Sequence, residues 1–156
     1  MNICKLDIRT LTRSQFEQIV FIEENCGLEP YSREMLLECI EHLDTYACLD
    51  GDTIAGFITI QASPRRLGGG LYIVNLNVAK NYRRQGIGQK LITTSCGVYR
   101  ESHKGSFVIL DVAKDNSAAW HLYKKLGFGL TDIPSRNGDT DVVMMMKLDR
   151  LCGSRT

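Results

Sequence analysis

The sequence is short of the features that mark fibrous, membrane-spanning and metal-dependent proteins. It has 3 prolines in 156 residues, and no apolar run approaches the roughly 20 residues that a transmembrane helix needs. Basic and acidic residues are nearly balanced, 19 against 18, so no net field attracts nucleic acid or an anionic membrane. The 6 cysteines form no CxxC pair, and no histidine stands at a zinc-ligand spacing. We therefore expect no metal, no nucleic-acid partner and no membrane partner.

What is present fits one domain with a core of its own. A chain of this length is expected to bury roughly two-thirds of the surface that its unfolded form exposes. Lys5, Asp7 and Arg9 stand where a signal peptide would need an apolar stretch, so we expect a cytoplasmic protein with reduced cysteines. We expect this domain to span residues 1–148 and residues 149–156 to form a flexible C-terminal tail.

Hydrophobic patterning predicts an α/β fold. Two helices are expected before the sheet, the first beginning at a capping box of Ser14 and Glu17. Asp50-Gly51 indicates a hairpin turn, and hairpins demand antiparallel pairs. The strand–helix–strand unit over residues 71–113 favours a parallel pair, so we expect a mixed, mostly antiparallel sheet flanked by helices. Strands are predicted at 3–8, 46–49, 53–60, 71–78, 107–113, 128–130 and 141–148, with a last helix at 116–126.

A glycine-bearing turn between a strand and a helix predicts an anion site built from the backbone. Its sequence is Arg83-Arg84-Gln85-Gly86-Ile87-Gly88-Gln89. The glycines let the main chain approach a phosphate, and the amides at a helix start favour negative charge. A Walker A loop and a dinucleotide fingerprint both fail, because the Gly-Lys-Ser/Thr run and a third glycine are missing. Taken alone, the motif fits a tight turn with solvated arginines equally well.

Two motifs together resemble the GNAT superfamily of N-acetyltransferases. Arg83, Gly86 and Gly88 match the spacing of its acetyl-CoA pyrophosphate loop, and Asn116 with residues 122–128 resembles its second signature. The resemblance covers roughly residues 3–148. It is closest to protein N-terminal acetyltransferases, including the ribosomal-protein alanine type, through Pro30-Tyr31-Ser32 and the segments 110–116 and 141–144.

The resemblance implies acetyl-CoA as cosubstrate and direct acetyl transfer, without an acyl-enzyme, to a primary amine. A protein N-terminal α-amine is the acceptor expected first. A splayed parallel strand pair is implied as the cofactor cleft. The residues implied to bind the cofactor are Leu76, Asn77, Val78, Arg83, Arg84, Gln85, Gly86, Ile87, Gly88, Gln89, Asn116 and Tyr123. Pro30, Tyr31 and Tyr72 are implied to bind the acceptor.

Three residues are implied in catalysis. Tyr123 matches the general acid, whose phenol of pKa ~10 can protonate a thiolate, although its helical spacing with Leu122 and Leu126 also fits a core residue. Asp111 stands where related enzymes place a glutamate base, and its shorter side chain favours proton removal through water. Tyr72 is a secondary candidate with packing as its alternative, and Asn116 is equally an N-cap.

The loop 133–139 lacks the tyrosine pair that grips the substrate in ribosomal-protein enzymes. The acceptor is therefore left open at this point. A small-molecule amine acetyltransferase, acting on a polyamine, an aminoglycoside or an amino-acid-like compound, is the alternative. A non-catalytic acyl-CoA-binding sensor is the third hypothesis.

Overall fold

A computed structural model describes residues 1–26, 29–62, 70–100 and 106–151. Strands and helices follow one another in the order that the sequence predicts, with a short helix added at the end. The strands are β1 (Asn2–Lys5), β2 (Asp44–Asp50), β3 (Thr53–Ala62), β4 (Gly70–Val78), β5 (Phe107–Ala113), β6 (Gly129–Leu130) and β7 (Asp141–Lys147). The helices are α1 (Arg13–Glu24), α2 (Arg33–His42), α3 (Ile87–Tyr99), α4 (Ser117–Leu126) and α5 (Leu148–Leu151).

The strands form one mixed sheet in the order β1-β2-β3-β4-β5-β7-β6. The pairs β1–β2, β2–β3, β5–β7 and β6–β7 are antiparallel, whereas β4 and β5 are parallel. This confirms the predicted α/β class with a mixed sheet. The register of β4 with β5 runs from Gly70–Phe107 to Ile73–Leu110, and both strands continue beyond it. The predicted cofactor cleft stays a prediction.

The contacts divide the chain into two compact units, and β4 contributes to both. The first unit comprises Met1–Ile60 and Val74–Ser95, and the second comprises Gln61–Ile73 and Cys96–Thr156. The single-domain organisation stays a prediction. Residues 149–151, which the sequence analysis places in a tail, lie in α5, where Leu148 and Leu151 are buried. Residues 152–156 lie outside the described part.

The core of the first unit lies between the first two helices and the strands β2 and β3. It includes Phe16, Ile19 and Val20 of α1, Leu36 and Ile40 of α2, and Ala47, Ile54 and Phe57 of the strands. Their helical spacing of three and four residues places the α1 members on one face. The fold of this unit therefore follows from the apolar stripes that its sequence carries.

Helix α1 begins earlier than predicted. Thr12 is its N-cap, accepting from the Gln15 backbone N–H at 3.1 Å, and the Gln15 side chain accepts from the Thr12 N–H at 3.0 Å. The predicted capping box at Ser14 is therefore wrong, because Thr12 with Gln15 satisfies both free amides and leaves Ser14 inside the helix.

Strand β3 approaches β4 closely at Gly56. A Cβ placed there would lie 2.8 Å from the main-chain oxygen of Asn77 and 3.2 Å from the Cα of Val78. Both neighbours are backbone atoms, so they cannot rotate away. Glycine at this position lets β3 lie against the segment of β4 that the sequence analysis assigns to the cofactor.

The second unit is built on β5. Its residues Val108, Ile109 and Leu110 are at most 1% exposed, as an apolar strand between two neighbours requires. Helix α4 follows, with Asn116 as N-cap and Gly127 as C-cap, which confirms the predicted helix. The Trp120 indole N–H donates to the Ala113 carbonyl at 3.0 Å and ties α4 to the end of β5.

Candidate active site

The glycine turn of the first unit has the backbone of an anion site. Arg84 and Gly86 both have left-handed φ angles, +62° and +78°, and α3 begins directly after them. The Lys90 N–H donates to the Gly86 carbonyl at 3.0 Å, so the amides of Ile87, Gly88 and Gln89 precede this first helical bond. Free amides at a helix start and a left-handed turn are the two elements of a phosphate nest.

The cations of this turn differ in what they contact. The Arg83 guanidinium donates to the carbonyl of Val78 at 3.1 Å and to that of Asn25 at 3.4 Å. Lys90 donates to the Met1 carbonyl at 3.1 Å. Arg84 is exposed, and its side chain makes no hydrogen bond or ion pair with a residue that the structure describes. Arg83 thus fixes the turn to the end of β4, and Arg84 is the cation with its donors free.

At the end of β4, the side chain of Asn77 is occupied by hydrogen bonds within the protein. The Asn77 amide group donates to the Glu23 carboxylate at 2.7 Å and to the Asn75 side-chain oxygen at 2.8 Å. Leu76 and Val78 point to the opposite face, because side chains alternate along a strand. The family resemblance implies that residues 76–78 bind the cofactor through their main chain, and the occupied side chain of Asn77 is compatible with this role.

The predicted acceptor loop is attached to the same strand. The Tyr31 backbone N–H donates to Glu23 Oε1 at 2.9 Å, and its hydroxyl donates to the Val74 carbonyl at 3.4 Å. Burial raises the pKa of the Tyr31 hydroxyl, which therefore stays a donor at neutral pH. Pro30 is exposed and precedes Ser32, the N-cap of α2. Glu23 is the residue that sequence reasoning missed here.

In the second unit, two predicted catalytic residues meet. The Tyr72 hydroxyl donates a short hydrogen bond to Asp111 Oδ2. Tyr72 pairs with Ile109 across the parallel strands, and Asp111 lies two residues further along the same face of β5. The other carboxylate oxygen, Oδ1, is buried and accepts no hydrogen bond from any residue that the structure describes. Burying a carboxylate oxygen without a hydrogen-bond donor costs free energy. A ligand or a water molecule that donates a hydrogen bond to Oδ1 would offset this cost.

Arg136 joins this pair. Its guanidinium lies over the Tyr72 ring, 5.2 Å from the centroid, within the range of a cation–π contact. The residue is exposed and stands in the loop between β6 and β7, where the tyrosine pair of the ribosomal-protein enzymes is missing. No local sequence signal marks Arg136, because loop arginines are common and periodicity does not apply to loops.

Tyr123 lies in α4 with its side chain 7% exposed. Burial raises the pKa of its hydroxyl to about 12. Its ring packs edge-on against Phe128, with centroids 5.6 Å apart. Asn116 accepts from the Ala119 N–H at 3.2 Å, which confirms its capping role, and its contact with the cofactor stays a prediction.

Within the described ranges, no group of three or more His, Cys, Asp and Glu residues could hold a metal ion. Nor does any helix of that part of the chain have the length and apolar content to cross a membrane. Among the described residues, Cys4, Cys26, Cys39, Cys48 and Cys96 form no disulfide bond.

Comparisons with known proteins indicate the family of this chain. Residues 7–128 match the acetyltransferase (GNAT) family. An N-alpha-acetyltransferase of Sulfurisphaera tokodaii is 31% identical over 135 residues, which cover 78% of each chain.

Two crystal structures share the fold. The ribosomal-protein-S18-alanine N-acetyltransferase from Escherichia coli superposes with a TM-score of 0.73 at 20% identity, covering 94% of this chain and 93% of that one. A chain of the NatC complex bound to Gag peptide and CoA gives a TM-score of 0.74 at 27% identity, covering 96% of this chain and 100% of that one.

Proposed function

The chain belongs to the acetyltransferase (GNAT) family and is an acetyl-CoA-dependent N-acetyltransferase, and we propose that its acceptor is the α-amine of a protein N-terminus. The observation that carries this proposal is the Tyr72–Asp111 pair with its unpartnered carboxylate oxygen. The similarity to an N-alpha-acetyltransferase and to a NatC chain crystallised with a peptide supports the same acceptor.

Acetyl-CoA supplies the acetyl thioester, and this chain's residues are proposed to hold it in two places. The amides of Ile87, Gly88 and Gln89, with Arg84 and the rest of the turn 83–86, bind the pyrophosphate. The fit rests on the left-handed backbone at Arg84 and Gly86 and on the open space beside Gly86, where a Cβ would meet nothing within 4 Å.

The thioester arm is proposed to lie along the main chain of residues 76–78, with the backbone amide of Val78 or its neighbour as the hydrogen-bond donor to the carbonyl oxygen. Asn116 is proposed to reach the same arm in addition to capping α4. These assignments come from the family resemblance.

Asp111 is proposed to take the proton from the acceptor, directly or through a water molecule at Oδ1. Tyr72 holds Oδ2 by its hydrogen bond, so Oδ1 is the carboxylate oxygen to which no described residue donates and the one proposed to receive the proton. An α-amine has a pKa of ~8, whereas a lysine side chain has ~10.4, so a carboxylate removes the α-amine proton far more readily. The pair therefore suits an N-terminal acceptor better than a lysine.

Tyr123 is proposed to donate a hydrogen bond to the departing sulfur. With a pKa of about 12 its hydroxyl stays protonated at neutral pH. Full proton transfer to a thiolate, whose thiol has a pKa of ~8.5, would be unfavourable from such a group. Its proposed role is therefore to stabilise the negative charge on the sulfur by a hydrogen bond, and its role as a general acid that gives up the proton stays a prediction.

An acceptor screen tests the proposal. Purified protein is given acetyl-CoA with peptides bearing free N-termini, the same peptides with blocked N-termini and internal lysines, polyamines, aminoglycosides and free amino acids. Released CoA and product mass are measured. We expect turnover with free N-termini and loss of it on blocking; faster turnover with any other class would contradict the N-terminal acceptor.

One observation favours a second candidate, a small-molecule amine acetyltransferase. Arg136 occupies the loop that carries the substrate-gripping tyrosines in ribosomal-protein enzymes, so that grip on a peptide backbone is absent. Preference for a free polyamine, aminoglycoside or amino acid in the screen would establish this candidate. Binding of acetyl-CoA without turnover on any acceptor would point to the sensor hypothesis.

A further inference from the structure

Glu23 is a carboxylate on the apolar face of α1. It follows Phe16, Ile19 and Val20 at helical spacing, and it is 2% exposed. Burial of a carboxylate is costly unless hydrogen-bond donors replace the lost water. A charged residue at a core position of a helix therefore requires an explanation from its contacts.

Three donors surround the Glu23 carboxylate, and they come from two parts of the first unit. Oε1 accepts from the Tyr31 backbone N–H at 2.9 Å. Oε2 accepts from the side chains of Asn75 at 2.8 Å and Asn77 at 2.7 Å. All three donors are uncharged, and no lysine or arginine of the described residues forms an ion pair with Glu23. Oε1 therefore binds the loop before α2, and Oε2 binds β4.

The arrangement links two predicted functions. Tyr31 belongs to the loop proposed to bind the acceptor, and Asn75 and Asn77 belong to the strand proposed to bind the thioester arm. The Tyr31 hydroxyl adds a second tie to this strand, at the Val74 carbonyl, 3.4 Å away. With both Asn side chains turned onto Glu23, the backbone between them is held in one orientation.

We propose that Glu23 is a positioning residue that fixes the acceptor loop against the thioester-binding strand. The inference rests on the proposed function of those two segments. Glu23 has both oxygens occupied by protein donors, so it acts through Tyr31 and Asn77 and does not touch substrate. Loss of the carboxylate should misplace the acceptor relative to the thioester while leaving the glycine turn intact.

The test compares Glu23→Gln with Glu24→Gln, a neighbouring exposed glutamate on the same helix. In Glu23→Gln the new amide N–H group faces the N–H donors of Asn75 and Asn77, so it cannot accept their hydrogen bonds. We expect kcat/KM for the acceptor to fall at least tenfold, and the calorimetric Kd for acetyl-CoA to stay within twofold. Glu24→Gln should match the wild type in both. All assays are run at a temperature where each variant is folded.

A polarity swap provides the rescue. In Glu23→Gln combined with Asn77→Asp, the glutamine amide donates to the new carboxylate and its oxygen still accepts from the Tyr31 N–H. We expect the double variant to recover part of the acceptor kcat/KM that Glu23→Gln loses. If Glu23→Gln does not fold, Asn77→Ser, which removes one of the three donors, is measured in the same way with a smaller loss expected.

Two results would overturn the proposal. One is an unchanged acceptor kcat/KM in Glu23→Gln or, in its place, Asn77→Ser. The other is an equal loss of acetyl-CoA affinity, which would indicate a merely structural residue. Failure of the N-terminal acceptor is recognised separately in the screen, since the same variants are then assayed with whichever amine the wild type acetylates.

Discussion

At the scale of single residues, the two oxygens of Asp111 have different surroundings. Oδ2 accepts from Tyr72, and Oδ1 is buried with no donor in the part of the chain that the structure describes. Asp111→Asn should therefore lower kcat about 100-fold or more, the usual contribution of a general base, with the acetyl-CoA Kd unchanged. Tyr72→Phe should cause a smaller loss. Steady-state kinetics measure these losses, and Asp115→Asn, which changes an exposed acid nearby in the sequence, is the control. Equal activity of Asp111→Asn and the wild type would show that Asp111 is not the base.

Tyr123 is expected to affect turnover and not binding. Tyr123→Phe removes the hydroxyl and keeps the ring that packs on Phe128. We expect kcat to fall roughly 10- to 100-fold because one hydrogen bond to developing charge is lost. Calorimetry should give the same Kd for acetyl-CoA. A variant with wild-type kcat would show that Tyr123 is only a core residue.

The same hydroxyl makes stability fall at alkaline pH. Tyrosine ionises near pH ~10 in the unfolded chain, and burial raises the pKa of Tyr123 to about 12 in the folded one. Between these values the folded state binds more protons, so its stability is full below pH 10 and falls as pH rises to 12, by about 3 kcal/mol. The free energy of unfolding, measured with urea from pH 8 to 12, should decline less steeply in Tyr123→Phe than in the wild type. Parallel curves for the two proteins would contradict this.

The family resemblance indicated Tyr72, Asp111 and Tyr123, because each stands at a position that matches the family's pattern, and their catalytic roles stay predictions. Sequence reasoning did not reach Glu23 or Arg136. Glu23 had a signal, since it is a carboxylate on an apolar helical stripe and such a group needs buried donors. Arg136 had none, because its contact with Tyr72 depends on the path of a loop.

At the scale of elements, the turn before α3 depends on the handedness of its backbone. Gly86→Trp forces an L-residue into a left-handed conformation and adds bulk where the phosphate is expected, so acetyl-CoA binding should be abolished. Gly51→Trp is the matched control, since Gly51 also has positive φ and open space but lies in a hairpin turn. Both should lose similar stability by thermal unfolding. Intact binding in Gly86→Trp would place the pyrophosphate elsewhere.

Element boundaries were harder to predict than element types. Strand β5 and helix α4 agree with the sequence because an apolar run and the Asn116 and Gly127 caps are local signals. The start of α1 was missed, since Thr12 with Gln15 and Ser14 with Glu17 both match the capping-box pattern, and in the structure Glu17 accepts from Arg33 instead. Tertiary contacts likewise determine which side of a helix is buried.

At the scale of the whole molecule, the formal net charge of +1 says little about affinity for an anionic cosubstrate. Arg84→Gln and Arg13→Gln each lower this charge to 0, but only Arg84 lies in the turn. We expect calorimetry at 50 to 300 mM salt to show weaker acetyl-CoA binding and a smaller salt dependence in Arg84→Gln alone. Equal effects in both variants would mean that overall charge governs binding. Cytoplasmic location stays a prediction.

The glycine contacts also bear on how this sequence can drift over evolutionary time. At Gly56 the obstruction is the backbone of Asn77 and Val78, so no compensating side-chain change elsewhere makes room for a Cβ. At Gly86 the protein leaves the space open, so the limits there are the left-handed φ angle and the pyrophosphate that the turn is proposed to bind. Descendants of this protein should therefore keep glycine at position 56 whatever they bind, and should keep position 86 free of a bulky side chain only while the turn binds a phosphate.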